Sequence, residues 1–139
     1  MAENILLEVV TPEKVVVSEK AQIVMAPGNL GEFGVLSGHT PFLSTLNIGR
    51  LHYKDESGNE QSIFISGGFA EALPDKVTVL AESAEREREI DVERAKEAME
   101  RARKRLAEKG KQDIDVFRAE IALKRALYRL YITEAVAIK

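Results

Sequence analysis

Up to about residue 82 the apolar positions come in short bursts separated by turn formers, the pattern of an all-β module with many short strands. The stretches "ILLEVV", "EKVVVS" and "AQIVMA" concentrate β-branched residues, which pack well on a pleated surface. "RLHYKDESGNEQSIFI" alternates on both sides of "DESGN" and reads as a hairpin turned at Ser57-Gly58-Asn59, with Leu51 and Tyr53 sharing a face with Ile63 and Ile65. "SGGFAEALPDKVTVLAES" adds a second pair turned at Pro74-Asp75, and Gly67-Gly68 marks a bulge or a tight corner where chains approach closely. Eight to ten strands in about 80 residues predict a sandwich or flattened barrel.

Beyond Glu82 the period changes. "SAEREREIDVERAKEAMERARKRLAEKGKQDIDVFRAEIALKRALYRLYITEAV" is rich in Ala, Glu, Lys, Arg and Leu and nearly free of Gly and Pro, and Gly110 within "KGKQD" splits it into two helices of about five or six turns, an αα-hairpin. Asp91, preceded by Ile90, is the expected cap of the first helix, and Asp113 or Asp115 of the second. Glu97/Arg101, Glu100/Lys104 and Glu120/Lys124 fall at i,i+4 and support helix rather than function. The first helix has a thin apolar seam of Ala95, Ala98, Met99, Ala102 and Leu106. Alanines bury little area at about 25 cal/mol per Å², so a hairpin closed through this seam is weakly held. Phe117, Ile121, Leu123, Leu127, Leu130 and Ile132 wrap more than one face of the second helix. That surplus fits either an ordinary docked hairpin or a segment that changes its contacts. The chain therefore reads as α+β, with a β domain over residues 1–84 and a helical hairpin over residues 85–139.

The 139 residues suffice for one domain with an appendage and a modest core. A net charge of −3, spread over both signs, offers no basic surface for nucleic acid. Cysteine is absent, which removes disulfides, thiolate metal sites and cysteine nucleophiles. The apolar runs are too short for a membrane span and "MAENILLEVV" lacks a signal peptide's basic segment, so the expectation is a soluble, intracellular chain. The two histidines, His39 and His52, have no cysteine or acidic ligand cluster beside them, and Ser37 and Ser44 near His39 lack a nucleophile elbow. Neither a metal site nor a catalytic triad is expected.

"GNLGEFGVLSGHTPF", residues 28–42, spaces glycines as a phosphate loop would, but no Gly-Lys-Ser/Thr ends it and no helix follows to receive a phosphate. It reads either as a set of tight turns or as an ordered rim meeting another protein through Leu30, Phe33, Val35 and Leu36. In the tail, Arg94, Arg101 and Arg105 repeat the intervals of Arg118, Arg125 and Arg129, and an antiparallel hairpin would bring Arg94, Arg101, Arg125 and Arg129 together. Such a group is either a basic stripe paired with nearby glutamates or a seat for a polyphosphate, whose oxygens suit forked guanidinium donors.

With these residues assembled, the chain resembles the epsilon subunit of bacterial F-type ATP synthases over essentially its whole length. The resemblance rests on "GNLGEFGVLSGHTPFLSTL", "ISGGFAEALPDKVTVLAESAE" and "IDVERA", in this order. It implies a flattened ten-stranded β-sandwich followed by two helices, in a subunit without catalysis of its own. The loop carrying Glu32 and His39 would sit at the foot of the central stalk and touch the c-ring, with Leu30 and Phe33 nearby, while the sandwich packs on the gamma subunit. The tail is similar to a movable inhibitor of ATP hydrolysis: when extended it would reach the alpha and beta subunits, with Lys124, Arg125 and Arg129 facing acidic residues. "IDVERA" matches an ATP-binding motif at Ile90, Asp91, Arg94 and Ala95, with Arg101, Arg125 and Arg129 at the other basic positions, so ATP is implied as a regulatory ligand and no cofactor as a requirement. The implied location is peripheral, on the cytoplasmic face of the bacterial plasma membrane, held through a proton-translocating complex. A free-standing nucleotide-sensing module is the competing class, separated by whether the chain co-purifies with gamma; a small β-sandwich enzyme would need a titratable cluster that the sequence does not offer.

Overall fold

The computed structural model describes residues 3–108 and 115–134. The chain divides into two compact units, Met1–Arg88 and Glu89–Lys139.

Seven strands build the first unit: β1 (Ile5–Val10), β2 (Val15–Gly28), β3 (Gly31–Val35), β4 (Phe42–Asp55), β5 (Glu60–Ala72), β6 (Lys76–Ala81) and β7 (Ala84–Arg86). They hydrogen-bond in the order β1-β6-β5-β4-β2-β3, and β1 pairs with β2 as well. The sheet therefore closes on itself as a flattened barrel, with β3 appended to β2 and β7 to β5. Among the described residues only β1 with β6 is a parallel pairing; the other ladders are antiparallel.

The expected ten short strands appear as seven elements among the described residues because β2, β4 and β5 are each 13 or 14 residues long, and β2 and β5 change neighbours midway. β2 exchanges neighbours at Ala21, pairing with β1 before it and with β4 after it. β5 pairs β7 through Ile63–Ile65 and β6 through Gly68–Ala72, changing neighbour at the Gly67-Gly68 corner. Gly68 has φ +139°, and a Cβ there would lie 2.1 Å from the Leu80 carbonyl oxygen, so only glycine lets β6 approach so closely. β7 carries the ladder to Arg86, two residues past the compositional break at residue 84.

Leu51, Tyr53, Ile63 and Ile65 share the interior with Ile5, Leu7, Val9, Val24, Val77 and Val79, as the alternation requires. The predicted turn forms at Asp55, whose carboxylate accepts from the Ser57 amide at 3.0 Å, the Asn59 amide at 2.9 Å and the Gln61 side-chain amide at 3.1 Å. These donors, the Asn59 amide foremost, hold its carboxyl below the usual carboxylate range. The turn at Pro74-Asp75 closes with the Leu73 amide donating to the Lys76 carbonyl at 2.8 Å.

Arg86 ties β7 to β2: Nε donates to the Val16 carbonyl at 3.1 Å and the guanidinium stands 3.7 Å from Glu19. Tyr53 is fully buried, and its hydroxyl makes no hydrogen bond among the described residues. Burial first, and then the Glu19 charge, push this phenol up to about 12, against the opposing pull of Arg86.

The second unit is a pair of packed helices, α1 (Val92–Ala107) and α2 (Val116–Ile132). Asp91 caps α1 by accepting from the Arg94 amide, and Asp115 caps α2 by accepting from the Arg118 amide, each at 3.0 Å. The expected break at Gly110 and the alternative cap Asp113 lie outside the described residues. Ala95 and Ala102 on α1 are buried, as are Ala119 and Ala126 on α2, each couple seven residues apart. Such small side chains at heptad spacing mark a narrow seam where helices approach closely with little apolar surface removed from water.

Candidate functional site

The segment from Gly28 to Phe42 leaves β2, runs out along β3 and returns to β4. Gly28 opens it: a Cβ there would stand 2.8 Å from the Gly31 carbonyl oxygen and 2.9 Å from the Phe33 ring, so the turn tolerates no side chain. Leu30, at its tip, is fully exposed. Phe33 is half-buried against the core and meets the Phe42 ring edge-on at 5.2 Å, while the His39 ring meets the same Phe42 at 5.0 Å. His39 Nδ1 donates to the Thr40 carbonyl at 2.7 Å, and the Gly38 amide reaches the Pro74 carbonyl at 2.7 Å, fastening the loop to the next turn. Val35 is corrected: it is completely buried in the core and cannot meet a partner, because the alternation of β3 turns it inward. Leu30 and Leu36 remain outside.

Glu32 is exposed at this edge, and its carboxylate lies 3.2 Å from the His52 ring. His52 also reaches Glu60 at 2.7 Å, and Glu60 stands 3.9 Å from Arg50. A histidine that composition left without a role thus organises the charges beside the rim. Its partners lie 20 and 8 residues away, so no local motif announced them. Among the described residues no group of three or more His, Cys, Asp or Glu side chains is arranged to hold a metal ion.

The outer surface of β4, β5 and β6 carries a second feature. Leu43, Phe69 and Leu80 are 74%, 57% and 56% exposed. Phe69 pairs across the ladder with Leu80 on one side and with Thr45, two residues from Leu43, on the other. Three large apolar side chains on adjacent strands form one outward patch of the kind associated with protein contact. A groove of about 370 Å³ opens beside it, floored by Gly68 and flanked by Pro12, Phe69 and Leu80. The sequence reading missed these residues, although the alternation in "FLSTL", "GGFAEA" and "KVTVL" sets each opposite a core position.

On the helices, Ile90 and Ala95 are buried. Asp91 already serves as the α1 cap. Arg94 and Arg101 are exposed on α1, while Arg125 and Arg129 are half-buried on α2. The packing of α1 on α2 places all four in one helical unit. Lys124 borders a shallow apolar hollow of about 240 Å³ on α2 with Leu123, Leu127 and Tyr128.

Comparison with known proteins follows the same division. The beta-sandwich domain of the ATP synthase delta/epsilon chain matches residues 4–87, and the long alpha-helix domain of that family matches residues 88–134. The ATP synthase epsilon chain of Desulforapulum autotrophicum is 63% identical over 134 residues, covering 96% of this chain and 98% of the relative. That of Geotalea uraniireducens is 47% identical over 139 residues and covers 100% of both. Among solved structures, a chain of the Euglena gracilis mitochondrial ATP synthase OSCP/F1/c-ring assembly superposes with a TM-score of 0.77 at 29% identity, covering 88% of this chain and 77% of that one. A chain of the Tetrahymena thermophila central stalk and c-ring shares the fold, with a TM-score of 0.57 at 17% identity over 97% of this chain and 98% of that one. Matched in both domains and along its whole length, this chain belongs to the ATP synthase delta/epsilon chain family as an epsilon subunit of the F-type enzyme.

Proposed function

We propose that the β domain is a coupling piece of the central stalk, and that the helical unit regulates the direction in which the enzyme runs. One surface of the β domain packs on the gamma subunit and its rim meets the c-ring, with Leu30, Phe33, Glu32 and His39 at that contact. The observation that carries this reading is the set of apolar side chains left outside a well-filled barrel: Leu30, Leu43, Phe69 and Leu80. A partner that covered them would gain roughly 1.5–3 kcal/mol for each side chain fully buried. The subunit supplies no catalytic group; it transmits rotation and stays peripheral, at the cytoplasmic face of the plasma membrane. No helix among the described residues is long and apolar enough to cross a membrane.

The helical unit acts as a mobile inhibitor of ATP hydrolysis. Four of its buried positions are alanines, Ala95, Ala102, Ala119 and Ala126, which lowers the cost of a change of contacts, and when extended it presents Lys124, Arg125 and Arg129 to acidic residues of the beta subunit. ATP favours the compact form by bridging Arg94, Arg101, Arg125 and Arg129, beside Ile90, Asp91 and Ala95. A ligand shifts such an equilibrium only by its differential affinity, and a hundredfold preference contributes about 2.7 kcal/mol. Truncation after residue 88 tests the division of labour: it should preserve assembly with gamma and the c-ring while relieving inhibition of ATP hydrolysis. A truncated chain that failed to assemble, or an enzyme as inhibited as before, would overturn it. The ATP reading is tested by calorimetry on the Arg94→Ala, Arg125→Ala chain, which should lose binding; unchanged titration would refute the site.

A further inference from the structure

His52 stands on β4 with a carboxylate at each ring nitrogen. Nδ1 lies 2.7 Å from Glu60 Oε1, at the start of β5, and Nε2 lies 3.2 Å from Glu32 Oε2 on β3. The His52 side chain is 19% exposed, while those of Glu32 and Glu60 are 51% and 46% exposed. An ionised carboxylate only accepts hydrogen bonds. A neutral imidazole has one N–H and one lone pair, so it satisfies one of these carboxylates and turns its lone pair on the other; the imidazolium donates to both. We propose that His52 is a proton-operated clasp that docks the edge strand β3 and its loop onto β4 when charged, and releases Glu32 when neutral.

The geometry says which carboxylate is let go. The Glu60 contact is the shorter, and Arg50 stands 3.9 Å from the same Glu60 oxygen. Lys54, on the strand of His52, is the register partner of Glu60, so Glu60 keeps cations beside it whatever the charge of the ring, whereas no such cation is shown at Glu32 among the described residues. Glu32 sits on a five-residue strand whose only ladder partner among the described residues is β2. From β2 the register partner of His52 is Met25, and from β5 it is Ser62, neither of them charged. The proton on Nε2 is thus the variable element of the docking. Glu32 is also the carboxylate assigned above to the c-ring contact, so a competition between clasp and partner rests on that reading, whereas the clasp itself does not.

Nuclear magnetic resonance on the isolated full-length chain tests it. The His52 ring nitrogens and the exchange of the β3 amides, corrected for intrinsic rates, are followed from about pH 5 to about pH 8, the range in which histidine changes charge. Both nitrogens should be protonated at the acidic end, and β3 amide exchange should accelerate about two- to fivefold as the ring loses its proton, the size of an exposed ion pair. His52→Arg, charged throughout, should keep β3 docked and remove the pH dependence; His52→Gln should exchange at the released rate at every pH. The clasp is overturned if β3 exchange stays constant while the ring titrates, or if it follows pH equally in wild type and His52→Arg. Because no partner is present, failure of the stalk assignment would leave these outcomes unchanged.

Discussion

Gly68→Ala isolates the closest backbone approach in the β domain. Two separate costs meet at this position. The φ of +139° lies in a region that L side chains rarely adopt, worth about 1–3 kcal/mol. The new methyl would also stand 2.1 Å from the Leu80 carbonyl oxygen and 2.9 Å from Ala81 Cα, where ordinary contact begins at 3.4 Å. β6 would have to retreat by about 1 Å in a close-packed region, an overpacking cost of about 1–3 kcal/mol. The retreat would strain the Gly68↔Ala81 and Phe69↔Leu80 pairings. The sum is about 2–6 kcal/mol, a large part of the 5–15 kcal/mol that holds a typical domain. Gly38→Ala is the matched control: its φ is +82°, but a Cβ there meets nothing within 4 Å, leaving only backbone strain of about 1–2 kcal/mol. Chemical denaturation of the full chain, followed by circular dichroism in the β-sheet region, compares the two. Gly68→Ala should lie about 1–3 kcal/mol below Gly38→Ala. Equal losses would show that β6 yields freely and would refute the close-approach argument.

Tyr53→Phe removes a buried hydroxyl that makes no hydrogen bond among the described residues, so stability at neutral pH should hold or rise by about 1 kcal/mol; a loss of that size would mean the hydroxyl has a partner. With its phenol pushed up to about 12, the folded chain keeps this proton after the unfolded chain, near its ordinary value of about 10, has lost it. Stability should therefore fall as pH rises from about 10 to about 12, and the same alkaline denaturation series on Tyr53→Phe should lack that component. At the other end of the scale, the lowered Asp55 carboxyl supports its hairpin at neutral pH, and that support is lost as pH falls through and below the usual carboxylate range. Amide shifts of residues 57–61 should report this loosening in wild type but not in Asp55→Asn, and identical acid profiles would sink the assignment.

Much of the architecture is set by local order along the chain. The change of period after Glu82, the turns at Asp55 and Pro74, and the caps Asp91 and Asp115 each depend on residues a few positions apart, whose spacing alone selects strand, turn or helix. The motif segments that carried the family resemblance are likewise contiguous. What the linear pattern withheld is everything that depends on which segment lies beside which. Alternation along β3 separates Val35 from its neighbours but does not say that Val35 points inward, and the same silence covers the outward Leu43, Phe69 and Leu80. β2 and β5 read as pairs of short strands because each changes neighbours midway, an event fixed by ladder partners far away in sequence. Ala119 and Ala126 look unremarkable on a helix rich in leucine, yet they are buried along with Leu130 and Ile132, while Leu123 and Leu127 are only partly covered. His52 gained its two carboxylates only when β3, β4 and β5 came together. Periodicity is a property of neighbours in the chain, whereas inside, outside and partner are properties of the closed barrel, and it took the closing of β1 onto both β2 and β6 to assign them.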